Sequence, residues 1–110
     1  MSNDSPLFDD LDRATFERAV DVWGIDAQAD MAEEECAELI LASKHYARGK
    51  IESDELIEEL ADVRIMYEQL AMFIGREDVE DRVQTKMNRL RERLPCDVQP
   101  DTDRPEEGDE

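Results

Sequence analysis

At 110 residues the chain has room for one small domain, and a lone monomer of that size has a modest core, so an oligomer is expected. It carries 31 Asp and Glu against 13 Lys and Arg, a formal net charge of −18. That balance excludes a nucleic-acid polymer as partner, because there is no basic stripe to neutralise phosphates. No apolar run reaches transmembrane length and no secretory signal opens the chain, so the expectation is a cytoplasmic protein with no membrane partner.

Only Lys44, Lys50 and Lys86 are lysines; the other basic residues are arginines. Abundant Asp and Glu with little Lys is the surface expected of a halophilic protein. At about 1 M salt the Debye length falls to roughly 3 Å, and self-repulsion becomes tolerable.

In chain order, residues 1–10 read as a flexible N-terminal arm. A first helix is expected over 11–23, with Leu11, Phe16, Ala19, Val20 and Trp23 on one stripe, and Gly24 ends it. A second is expected over 27–48, capped by Asp26 and stopped by Gly49. A third, over 54–74, takes Ser53 as its cap and Gly75 as its stop. A fourth, over 77–94, carries Val79, Val83, Met87, Leu90 and Leu94 and stops at Pro95. Residues 96–110, "CDVQPDTDRPEEGDE", have the composition of a disordered acidic tail. No alternating β-branched runs occur. The fold class is all-α: one four-helix domain over 11–95, a bundle completed by oligomerisation. Cys36 and Cys96 stand in no metal or redox spacing, and Cys36 reads as a buried thiol. His45, alone near a helix end, is given no role.

Two stretches echo each other. Residues 34–39 read "EECAEL" and residues 58–63 read "EELADV". On a wheel of about 100° per residue, Ala32, Cys36, Leu39, Ile40, Ser43, Tyr46 and Ala47 form the apolar stripe of the second helix. Glu35 lies on its flank, Glu38 further round and Glu34 beyond. On the third helix the stripe is Leu56, Leu60, Val63, Tyr67, Leu70 and Ile74, with Glu59 on the flank, Asp62 further round and Glu58 beyond. Met66 and Phe73 extend that flank with apolar surface. A short connection makes the two helices an antiparallel hairpin, and facing flanks bring Glu35, Glu38, Glu59 and Asp62 together. Converging carboxylates without a counter-charge are costly, and a hard cation removes the cost. Oxygen-only ligands select Mg²⁺, with Mn²⁺ or Ca²⁺ as alternatives, and Mg²⁺ commonly bridges a few carboxylates to substrate phosphates. In so acidic a chain a merely solvated acidic face is the competing reading; the repeat of the pattern in phase with the core on both helices favours the site.

The same residues carry a resemblance. "EECAEL" with "EELADV" resembles the EExxE…ExxD signature of the MazG-like all-α nucleoside triphosphate pyrophosphohydrolases. Residues 23–39 and the basic segment "KMNRLRERL" over 86–94 are similar to that family's flanking stretches, so the resemblance spans about residues 16–95. It implies Mg²⁺-dependent cleavage of a (d)NTP to the monophosphate and pyrophosphate, for nucleotide-pool house-cleaning. It implies Glu35, Glu38, Glu59 and Asp62 as metal ligands, with Mn²⁺ as the alternative ion, and Glu34 as a further ligand or the base that activates water, so that Glu34, Glu35 and Glu38 are the catalytic candidates. Lys86 and Arg89 are the candidates to neutralise the triphosphate, and Trp23, Gln28 and Tyr46 to line a nucleotide pocket. A homodimer or homotetramer is implied as well. Ala37 replaces the family's frequent Gly, and Asn88 stands nearer Lys86 than the family pattern has it. Phosphoribosyl-ATP pyrophosphohydrolase shares the acidic logic, but its Lys before the double Glu has no counterpart at Glu33. The rival from another class is a non-catalytic helical interaction module that retains the acidic motif.

Overall fold

The computed structural model describes residues 7–99. The chain is all-α: α1 (Asp10–Trp23), α2 (Ile25–Ala47), α3 (Ser53–Ile74) and α4 (Arg76–Arg93). Among the described residues there is no strand, and no described helix is long and apolar enough to cross a membrane. Residues 1–6 of the expected arm and 100–110 of the expected tail lie outside the described residues.

The helix ends differ in detail from expectation. α1 starts at Asp10 because Asp9 and Asp12 form a capping box. The Asp12 N–H donates to Asp9 Oδ1 at 2.8 Å, and the Asp9 N–H donates to Asp12 Oδ2 at 3.1 Å. Gly24, at φ 89°, ends α1 and also precedes α2 directly, so Asp26 falls inside the first turn rather than capping it. Ser53 is likewise the first helical residue; Glu52 holds the cap position without a side-chain bond. Gly49 does stop α2. Its φ is 75°, its N–H donates to the Tyr46 carbonyl, and the Lys50 N–H reaches the His45 carbonyl at 2.8 Å, a Schellman closure.

The chain divides into two compact units. In the first, α2 and α3 pack along their length and α1 lies against both. The pairing is antiparallel: Glu38 meets Glu59, while His45 shares a cavity with Ile51 and Glu55. The ring of Phe8 packs edge-on against Phe16, centroids 5.2 Å apart, and the Arg64 guanidinium lies 5.9 Å over Phe8. The end of the expected arm is thereby tied to α1 and α3. Buried Glu68 forms an ion pair with Arg76 at 3.0 Å, though not with hydrogen-bond geometry. In the second unit, α4 is followed by non-helical residues after Pro95 removes a donor. Its side chains are mostly exposed.

The packed faces coincide only in part with the expected apolar stripes: Ala32, Leu39, Leu56, Val63 and Leu70 are turned inward as expected. On α2 the inner line runs Gln28, Ala32, Glu35, Leu39 and Ala42, rotated toward the acids. Cys36, expected to be a buried thiol, is exposed, and Ile40 is 63% exposed. On α3, Glu59, Val63, Met66 and Gln69 turn inward, whereas Leu60, Tyr67 and Ile74 are open, Ile74 at 75%. The physical reason is size. Ala32 and Ala42 are small and buried, while the bulkier Ile40, Leu60, Tyr67 and Ile74 are left outside. Among the described residues no side chain is fully buried.

Candidate metal centre

Glu35 and Glu38 stand one turn apart on α2, and Glu59 faces them from α3. Each brings one carboxylate oxygen to within 4.8 Å of the other two. Glu35 and Glu59 are half-buried and Glu38 is exposed. Glu35 Oε1 and Glu59 Oε1 are both shielded from solvent and lack a hydrogen-bond partner. Such orphaned oxygens are costly unless something electropositive meets them.

The electrostatics follow from this crowding. Desolvation, then the charges of Asp62, Glu38, Glu59 and Glu34, push the Glu35 carboxyl above its ordinary value of 4.5. Glu59 is raised as well, by desolvation first, then by the charges of Glu38 and Asp62, a hydrogen bond to the Glu38 side chain and the charge of Glu58. Both shifts oppose ionisation, and a cation placed among the three oxygens would oppose both shifts.

The donor set fits a hard divalent ion. Two oxygens on opposite sides of Mg²⁺, each about 2.1 Å away, are separated by about 4.2 Å; around Ca²⁺ the same separation is roughly 4.6–5.2 Å. A trio whose oxygens all lie within 4.8 Å of one another can close on such an ion by side-chain adjustment. Three monodentate carboxylates leave the remaining positions for water or phosphate oxygens.

The other expected site residues are spread more widely. Asp62 is exposed and outside the compact trio, but close enough that its charge acts on both Glu35 and Glu59. Glu34 and Glu58 are exposed and contribute least to those shifts. Gln28 is buried on the same inner line of α2 as Glu35, two turns earlier. Trp23 is 64% exposed and lines a shallow apolar hollow with Leu11 and Val22, all from α1. Tyr46 is exposed. Lys86 and Arg89 are exposed on α4, three residues apart, and Asn88 Oδ1 beside them accepts a bond from Arg91 at 2.8 Å.

Two residues escaped the sequence reading. His45 lines a cavity of about 210 Å³ together with Glu38 and Glu59. Its signal was positional, seven residues after Glu38 on one helix side. Gln69 is buried with its Oε1 unpartnered, and lies seven residues after Asp62. No family model, no curated protein and no solved structure matches the chain.

Proposed function

We propose that this chain is a Mg²⁺-dependent nucleoside triphosphate pyrophosphohydrolase that cleaves a (d)NTP to the monophosphate and pyrophosphate. The observation that carries the reading is the carboxylate trio Glu35, Glu38 and Glu59, with two shielded oxygens lacking any partner. The resemblance of "EECAEL" and "EELADV" to the EExxE…ExxD signature supplies the reaction. Glu35, Glu38 and Glu59 would hold the ion, with Asp62 as the fourth ligand. Mg²⁺ bound there would neutralise the triphosphate and polarise the α-phosphorus. Glu34, exposed beside the trio, is placed by the motif as a further ligand or as the carboxylate that takes a proton from the attacking water. Lys86 and Arg89 are the cationic candidates for the phosphates, and Mn²⁺ is the alternative ion.

The reading includes a homodimer or homotetramer. What supports it is the apolar stripe left open on α2 and α3, Ile40, Leu60 and Ile74 among it, in a chain with no fully buried side chain among the described residues. It also includes a cytoplasmic, salt-adapted setting, supported by the net charge of −18. The test is pyrophosphate release from the common and modified nucleotides in Mg²⁺ and concentrated KCl. Turnover that vanishes in Glu38→Ala supports the reading. No turnover above that control on any nucleotide defeats it. The same open stripe favours a second reading, a non-catalytic helical module. It predicts self-association that is indifferent to Mg²⁺.

A further inference from the structure

A second cavity lies between α1 and α3, enclosing about 310 Å³, the lower end of the range for small-molecule sites. Phe16, Met72 and Phe73 give it apolar walls. Phe16 is buried, with Phe8 packed edge-on against its ring, whereas Phe73 is 57% exposed. One amide lines the slot, that of Gln69, itself only 7% exposed. Its two polar ends differ. Oε1 is shielded, whereas Nε2 is not, and no described residue accepts a hydrogen bond from that NH₂. What this buried side chain offers an occupant is therefore a donor. Glu17 and Asp21, one turn apart on α1, complete the polar lining, and no Lys or Arg is part of it. The two carboxylates repel an approaching anion.

We propose that this cavity holds a neutral flat heterocycle through a hydrogen bond from the Gln69 NH₂ to a ring carbonyl or ring nitrogen, and so forms the base subsite of the nucleotide. The aromatic walls meet the face of such a ring. The amide meets its edge, and an N–H that lacks a partner in a half-closed slot gains one. Every common base offers an acceptor edge, so the amide reads the presence of an acceptor and not the identity of the base. The carboxylates decide which end of a nucleotide enters: a triphosphate is repelled, an uncharged base is not. Gln69 follows Asp62 by two helical turns on the same side of α3, about 10 Å along the axis, so one nucleotide can span from the carboxylates to the cavity. In naming the occupant a nucleobase, the inference rests on the pyrophosphohydrolase reading.

Two uncharged ligands, added to the full chain without divalent cation, test the subsite apart from hydrolysis. One is uridine; the other is the phenyl C-riboside, in which a benzene ring without any acceptor replaces uracil. The probe is the ¹³C-labelled methyl group of Met72, which uridine is expected to move. Gln69→Leu should weaken uridine about tenfold and leave the phenyl riboside unweakened. Phe73→Ala, at an exposed position, should weaken both. A Met72 signal that uridine leaves unmoved overturns the proposal. So does a uridine affinity unchanged in Gln69→Leu or in Phe73→Ala, or an equal loss for both ligands in Gln69→Leu. If no triphosphate is hydrolysed but uridine binds as expected, the subsite stands and the hydrolase reading falls; hydrolysis with an unmoved Met72 signal has the opposite meaning.

Discussion

Glu38→Gln separates two opposite consequences of the carboxylate trio. In the metal-free chain a Glu38 oxygen lies within 4.8 Å of oxygens of Glu35 and Glu59. Two like charges at that spacing repel by about 0.9 kcal/mol in a water-like medium, roughly halved at physiological salt. Glu38 is exposed, so the water-like value applies. Neutralising it should raise the Tm of the metal-free protein by roughly 2–8 °C at low salt. With Mg²⁺ the order reverses. At 100 times Kd, bound ion adds about 2.7 kcal/mol to the wild type, roughly 10–20 °C for a domain of this size. Removing even an outer partner of a bound metal costs up to about 100-fold in affinity. The same loss for a direct ligand leaves about 0.4 kcal/mol, or roughly 2–3 °C, at the same Mg²⁺ concentration. The assay is thermal unfolding followed by circular dichroism, with ionic strength held constant by KCl. An equal Mg²⁺ gain in both proteins, or none in the wild type, refutes the argument.

Acidification gives a second expectation. Glu35 and Glu59 have folded values above 4.5, so what these two groups contribute to stability is fully present below 4.5 and is lost as pH rises through their folded values. Metal-free melting temperatures should fall over that rise after correction for global charge, while the gain from Mg²⁺ should grow, because the ion needs both groups ionised. Glu68→Ala should cost about 1–3 kcal/mol in urea unfolding, because it truncates a buried side chain and removes its ion pair with the partly exposed Arg76. Gly49→Ala should cost roughly 1 kcal/mol in the same assay, from the positive φ alone, since a methyl group there meets nothing within 4 Å.

Helix number, order and approximate bounds were legible, because each helix is bounded by a strong punctuation residue: Gly24, Gly49, Gly75 or Pro95. Two caps were misread for a common reason. Asp26 and Ser53 are good cap residues by type, but the chain turns one or two residues earlier, and side-chain preference is weaker than where the backbone turns. The capping box at Asp9 and Asp12 was overlooked because its acceptor at the third position is Asp rather than the usual Glu. The flank positions predict that Glu35, Glu38, Glu59 and Asp62 converge; the first three do, and Asp62 stays outside the trio. What the wheel could not supply was how far each helix rotates. Periodicity ranks faces by apolarity alone, while the buried positions include the small Ala32 and Ala42 and the polar Gln28 and Gln69. Gln69 and His45 carry only a positional signal, seven residues after Asp62 and Glu38, because the cavities they line are completed by residues of another segment, about which a single helix wheel has no information.

The rotation of α2 and α3 divides labour between the two sides of each helix. Ile40, Leu60 and Ile74 face away from the hairpin, while Glu35 and Glu59 face into it. Substitutions on the outer side can accumulate without altering the spacing of the carboxylates inside, since neither set packs on the other. Any partner met on the outer side could therefore change by drift along one side of two helices, while the carboxylate arrangement on the other side is inherited unchanged.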